Sequence, residues 1–194
     1  YEKYNDKSSS FKLTPAIQSS CLSKKNKYSL AGGVIDREKQ IWIGLMEDDK
    51  GDHIVSFSLN KTNQKPNLIY SSSGFLGYLA LNSKDNKLAW IEWQKTFMPW
   101  DLNELKLVKL NEDQNILNTV VFNNEYFKED GKISFFNPVW SEKGELYVAE
   151  DSSGWWNITQ IKTDANNQSI STSQDKWTIQ AEIAFPQWSL GMSS

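Results

Sequence analysis

The feature that most constrains this chain is an internal repeat. The run Leu81-Asn82-Ser83-Lys84-Asp85-Asn86-Lys87-Leu88 aligns with Val139-Trp140-Ser141-Glu142-Lys143-Gly144-Glu145-Leu146, 58 residues on when counted from position 81 to position 139. Each copy reads as a strand end, a serine or its neighbour, a charged tight turn and a new strand. Pro186-Gln187-Trp188-Ser189 repeats Pro138-Val139-Trp140-Ser141, 48 residues on from 138 to 186, and a degenerate copy, Val34 to Ile41, precedes the Leu81 unit by 47, from 34 to 81. Spacings of this size with about four short strands in each are those of propeller blades of ~40 to 50 residues.

The local pattern agrees with an all-β chain. Short alternating or apolar runs recur, and few stretches hold a helical period for three turns. Expected strands are Ile41 to Met46, His53 to Leu59, Asn67 to Tyr70, Gly77 to Leu81, Lys87 to Trp93, Glu104 to Leu110, Thr119 to Phe122, Pro138 to Trp140, Glu145 to Glu150, Trp155 to Ile161 and Lys176 to Ala181. Turn signals separate them at Glu47 to Asp52, Asn82 to Asn86, Glu142 to Gly144 and Asp151 to Gly154. Gly32-Gly33 reads as a bulge or the tight start of a strand.

The expected fold is therefore a β-propeller fragment of three to four blades, each a four-stranded antiparallel sheet. Residues 1–32 would end a preceding blade, 33–76, 77–134 and 135–182 would be blades, and 183–194 would start the next. So few blades do not close the ring of about 4 to 8 that protects sheet edges, so a piece of a longer protein is expected. A β-sandwich is the structural alternative, and the repeat favours the propeller.

Composition removes several functions. Net charge is −3 with both signs interspersed, which gives no basic stripe for nucleic acid. The short cluster Lys24-Lys25-Asn26-Lys27 reads as a solvated turn. Cys21 is the one cysteine, so neither an internal disulfide nor a thiolate zinc cluster can form, and a cytoplasmic location is expected. No run approaches the ~20 apolar residues of a membrane span, so no membrane partner is expected.

Catalytic patterns are missing from the sequence. His53 is the single histidine. It follows the turn Asp48-Asp49-Lys50-Gly51-Asp52 and reads as an exposed turn residue rather than the base of a Ser-His-Asp site. None of the ten glycines builds a G-x-S-x-G elbow. Ser71-Ser72-Ser73-Gly74 reads as an interblade loop. The acidic turn Glu47 to Asp52 lacks the ligand spacing of an EF-hand, and no glycine-rich phosphate loop is present. No catalytic residue, metal site or cofactor is expected.

Four pieces, in order, resemble the propeller of the acylaminoacyl-peptidase and dipeptidyl aminopeptidase-like branch of the prolyl oligopeptidase family. They are Gly33-Val34-Ile35-Asp36; Leu88-Ala89-Trp90-Ile91-Glu92-Trp93 with Met98-Pro99-Trp100-Asp101; Glu150-Asp151-Ser152-Ser153-Gly154-Trp155-Trp156-Asn157; and Phe185-Pro186-Gln187-Trp188 with Gly191-Met192-Ser193. The resemblance runs from about Lys27 to the end. It implies a downstream α/β-hydrolase domain in the same polypeptide, a peptide substrate for the parent serine peptidase, and a propeller that limits substrates by size. The paired propeller glutamates of related dipeptidyl peptidases have no Glu-Glu counterpart here.

Because blade strands alternate in direction, the second-to-third-strand loops and the links between blades emerge on one rim. That rim would collect Gln94 to Asn103, Asp151 to Gly154, Ser71 to Gly74 and Asn123 to Ser134. The loop Lys95 to Trp100 is longer and more apolar than a hairpin needs. Phe97, Met98, Trp100 and Asp101 are thus the expected substrate- or domain-facing residues, with Trp100 plugging its own blade as the open alternative. Trp90, Trp140, Trp155, Trp156 and Trp188 are expected in the core between blades. Competing functions are a carbohydrate-binding module that stacks sugars on Trp100 and Trp155, and a protein-binding scaffold.

Overall fold

A computed structural model of the chain describes residues 28–61, 64–122, 133–161 and 179–183. The described residues form three antiparallel sheets and no helix. The first contains β1 (Tyr28–Asp36), β2 (Ile41–Asp48), β3 (Gly51–Ser58) and β4 (Asn67–Ser71) in sequential order. The second contains β5 (Phe75–Asn82), β6 (Lys87–Trp93), β7 (Glu104–Leu110) and β8 (Ile116–Phe122), and the third contains β9 (Phe135–Trp140), β10 (Leu146–Glu150) and β11 (Asn157–Ile161). β1, β5 and β9 pack side by side, so the first strands of the three sheets converge as the inner strands of successive propeller blades.

The repeat has a backbone cause. Each turn from first to second strand ends on a residue with positive φ: Gln40 at 53°, Asn86 at 54° and Gly144 at 81°. That conformation reverses the chain tightly, and its steric cost favours Asn and Gly. Side chains close the same turns. Asp36 Oδ1 accepts from the Lys39 N–H at 3.0 Å, and Asn82 Oδ1 accepts from the Asp85 N–H at 3.1 Å.

Two cores lie between the sheets. Ile43, Ile54, Leu76, Leu88, Trp90, Val108 and Leu110 join the first blade to the second. Leu105, Leu107, Phe122 and Phe135, with Leu146, Val148 and Ile161, join the second to the third. β6 sits between them, which is why its residues from Leu88 to Ile91 are wholly buried without alternating apolar and polar. Each fully buried side chain of this kind contributes about 1.5–3 kcal/mol.

Three sequence expectations change. β1 begins at Tyr28, four residues before the paired glycines, because the Gly32-Gly33 bulge interrupts the alternation of half-buried and exposed side chains that would mark it as one strand. Gly32 and Gly33 lie inside it at a bulge, with Gly32 at a φ of 42°. The Trp42 indole lies across Gly33 and Gly44, and a Cβ on Gly44 would fall 2.0 Å from the ring. The third strand of the third sheet starts at Asn157 rather than Trp155. Residues 179–181 are not strand, and the rest of the Lys176 to Ala181 expectation lies outside the described residues.

Candidate functional site

The rim formed by the second-to-third-strand loops and the interblade links is tied together by one recurring side chain. An Asp or Asn at the start of each third strand grips backbone further along the chain, and for Asp52 and Asn103 that backbone enters the next blade. Asp52 Oδ2 accepts from the Leu76 N–H at 3.0 Å, and the Asp52 carbonyl accepts from the Ser72 N–H at 2.9 Å. Asn103 pairs doubly: its Oδ1 accepts from the Phe135 N–H at 2.7 Å and its Nδ2 donates to the Phe135 carbonyl at 2.9 Å. Asn157 makes the same pair with Ile179, at 3.0 and 3.2 Å. No sequence argument found this latch, because single Asx residues before strands look like ordinary turn residues.

Asn103 also donates to the Pro99 carbonyl at 2.6 Å, which anchors the rim loop from Gln94 to Asn103. Within that loop the Phe97 N–H bonds the Gln94 carbonyl at 3.0 Å. Met98 and Asp101 close a turn reciprocally: the Asp101 N–H donates to the Met98 carbonyl at 3.0 Å, and Asp101 Oδ2 accepts from the Met98 N–H at 3.1 Å. Met98 is 52% exposed at the tip, Asp101 is exposed, and Phe97 and Trp100 are half-buried. Phe97 lines a pocket of about 90 Å³ with Glu92, Trp93, Gln94, Leu102, Asn103 and Glu104, whereas Met98, Trp100 and Asp101 lie outside it. Small-molecule sites usually enclose ~300 Å³ or more, so this pocket falls below the size of a site for a drug-sized ligand.

Beneath the rim a charged network bridges the first two blades. Glu92, 5% exposed at the end of β6, accepts from Ser72 Oγ at 2.6 Å, Lys106 Nζ at 2.7 Å and the Tyr70 hydroxyl at 2.9 Å. Burial alone would raise the Glu92 carboxyl, yet the bonds from Lys106 and Ser72 outweigh it and hold the group below the usual carboxylate range. Burial opposes the Lys106 charge as well, and Glu92 and Tyr70 keep its ammonium above the ordinary lysine value. Glu150 holds the matching place on β10, 58 residues on from 92 to 150. It accepts from Thr159 Oγ1 at 2.8 Å and the Ser152 N–H at 2.7 Å. Beside it, burial pushes the Asp151 carboxyl up despite a bond from the Ser134 N–H.

The tryptophans divide. Trp90 and Trp156 are buried, and Trp140 is half-buried with its indole N–H donating to the Ala80 carbonyl across blades at 3.2 Å. Trp155 is 41% exposed, which corrects the core expectation. It sits in the loop just after Gly154, whose φ is 82°, so strand alternation does not reach it. Trp188 lies outside the described residues, as do positions 123–132 of the expected rim. His53 is also corrected: it is a buried β3 residue rather than an exposed turn residue, because the hairpin turn ends at Lys50. Among the described residues no cluster of metal-ligating side chains occurs and no helix is long and apolar enough to cross a membrane.

No known family profile and no curated protein matches this sequence. Solved structures do. A puromycin hydrolase superposes with a TM-score of 0.66 at 20% identity, over 85% of this chain and 25% of that one. A puromycin-hydrolyzing peptidase of Mycobacterium tuberculosis gives 0.69 at 22% identity, over 85% of this chain and 26% of that one. The chain thus spans about a quarter of the length of these enzymes. Its fold is a partial β-propeller shared with part of this puromycin hydrolase and this puromycin-hydrolyzing peptidase.

Proposed function

We propose that this chain is the non-catalytic propeller segment of a prolyl oligopeptidase-like serine peptidase, whose rim gates access to an α/β-hydrolase domain of the same polypeptide. The observation that carries this reading is the superposition of 85% of the chain on one quarter of two puromycin-hydrolysing peptidases. A second observation supports it. Asn157 grips Ile179 as Asn103 grips the first residue of β9, so Ile179 would open a fourth blade and the ring would continue. The apolar tip at Phe97, Met98 and Trp100, with Asp101, is the surface we assign to the hydrolase domain or to peptide on its way to the catalytic serine. The parent would act on peptides in the cytoplasm, where a lone Cys21 needs no oxidised partner.

Gating is a size filter, so its test is a ladder of substrates on the full gene product. The expected result is that kcat/KM holds for short aminoacyl and acyl-peptide substrates and collapses for folded proteins. Met98→Asp should weaken the rim contact and relax that cutoff without changing cleavage of the shortest substrate. Equal rates along the whole ladder would refute gating. The exposed Trp155 favours one second reading, a rim that stacks sugars, and saturation of its fluorescence by soluble oligosaccharides would support that reading instead.

A further inference from the structure

The single histidine is the centre of a hydrogen-bonded relay on the first blade. β3 places His53 directly opposite Ser71 at the end of β4, and Asp48 ends the neighbouring β2. Nδ1 of His53 lies 2.9 Å from Ser71 Oγ, and Nε2 lies 3.0 Å from Asp48 Oδ1. An ionised carboxylate can only accept, so Asp48 fixes the proton on Nε2 and leaves the Nδ1 lone pair to accept from the Ser71 hydroxyl. The bond from His53, with that from the Lys50 N–H, holds the Asp48 carboxyl below its usual range, which keeps it ionised at neutral pH. Compared with hydrolase triads the ring is reversed, but the order of roles is the same: an orienting carboxylate, a neutral imidazole base and a hydroxyl. His53 is buried and Ser71 is exposed, so the base is held in place while the hydroxyl meets solvent.

We infer that Ser71 is an activated hydroxyl that accepts acyl groups from small activated esters, with His53 as its general base and Asp48 as the positioning residue. Ser71 Oγ attacks the ester carbonyl, its proton passes to His53 Nδ1, and the C–O bond to the leaving group breaks. The alkoxide or phenoxide takes that proton, so acyl-Ser71 and a free alcohol or phenol result. Only the hydroxyl is activated, so one equivalent of acyl group per chain is expected rather than rapid turnover. The reaction is independent of peptide hydrolysis by a separate domain, and it would give the propeller a chemistry of its own.

The test is site-resolved acetylation of the full chain by 4-nitrophenyl acetate at neutral pH, read by mass spectrometry. Ser73 is exposed two residues away and serves as the internal reference. General-base help is worth about 10² or more, so Ser71 should acetylate at least roughly tenfold faster than Ser73. In His53→Gln, checked for native tryptophan fluorescence, that advantage should vanish. If this variant fails to fold, Asp48→Asn should reduce the same ratio in folded protein. A wild-type ratio below about tenfold, or one that survives in folded His53→Gln, would overturn the assignment.

Discussion

At Glu92 one side chain answers to three donors from two blades, and the consequences can be measured. Truncating one member of a buried ion pair leaves the other charge uncompensated, which costs about 3–5 kcal/mol. Glu92→Gln should therefore unfold at markedly lower urea than wild type, while Glu92→Gln with Lys106→Met recovers much of the loss. The pH dependence follows from the two shifts. Glu92 is held below its ordinary value, so its contribution is complete above the usual carboxylate range and is lost as pH falls through the lowered value. Lys106 is held above its ordinary value, so its contribution is complete below the usual lysine value and is lost as pH rises through the raised one. Thermal midpoints should stay flat through neutrality and drop at both ends, and the double variant should soften both drops. Gly74 is a second residue with a defined role, since a Cβ there would lie 2.2 Å from the Trp93 carbonyl oxygen. Backbone cannot move aside as a side chain can, so Gly74→Ala should cost about 1–3 kcal/mol by denaturant titration. Neither role was legible in the sequence: Glu92 looked like part of a strand motif and Gly74 like a loop residue, because both owe their roles to a neighbouring blade.

Among the elements, the strands were legible where both flanks carried turn chemistry. Lys87–Trp93 and Glu104–Leu110 have the bounds that the turn residues on either side imply. β1 and the start of β11 were misplaced for opposite reasons. The first is broken by the bulge at Gly32-Gly33, while Trp155 and Trp156 are apolar enough to suggest a strand where a loop runs. The link between elements was invisible, because Asp52 and Asn103 act across blades and Asn157 acts on Ile179, 22 residues on. Asn103→Ala would remove its hydrogen bonds to the N–H and carbonyl of Phe135 and release the Pro99 carbonyl. Each such hydrogen bond contributes about 0.5–1.5 kcal/mol. Amide hydrogen exchange should rise in β9 and in the rim loop before it rises in β2 or β3, and uniform acceleration across all sheets would contradict the latch.

For the molecule as a whole, the spacing of the repeat was enough to reach an all-β propeller, because a tight turn with one left-handed residue recurs in each of the three described sheets. The rim was legible only as a surface, since side chains at a loop tip carry no internal pattern to betray a partner. Phe97, Met98, Trp100 and Asp101 fall in one loop, but only Phe97 lines the pocket beneath it. The chain covers one quarter of its structural neighbours, and the function proposed above makes it a part that acts on another part. The central claim is therefore tested by expressing the whole open reading frame that encodes this chain beside the chain alone, and assaying both with acyl-peptide and aminoacyl chromogenic amides. The expected result is steady turnover by the full product and none by the chain alone. A full product that contains no hydrolase domain, or that leaves every such amide intact, would contradict the account.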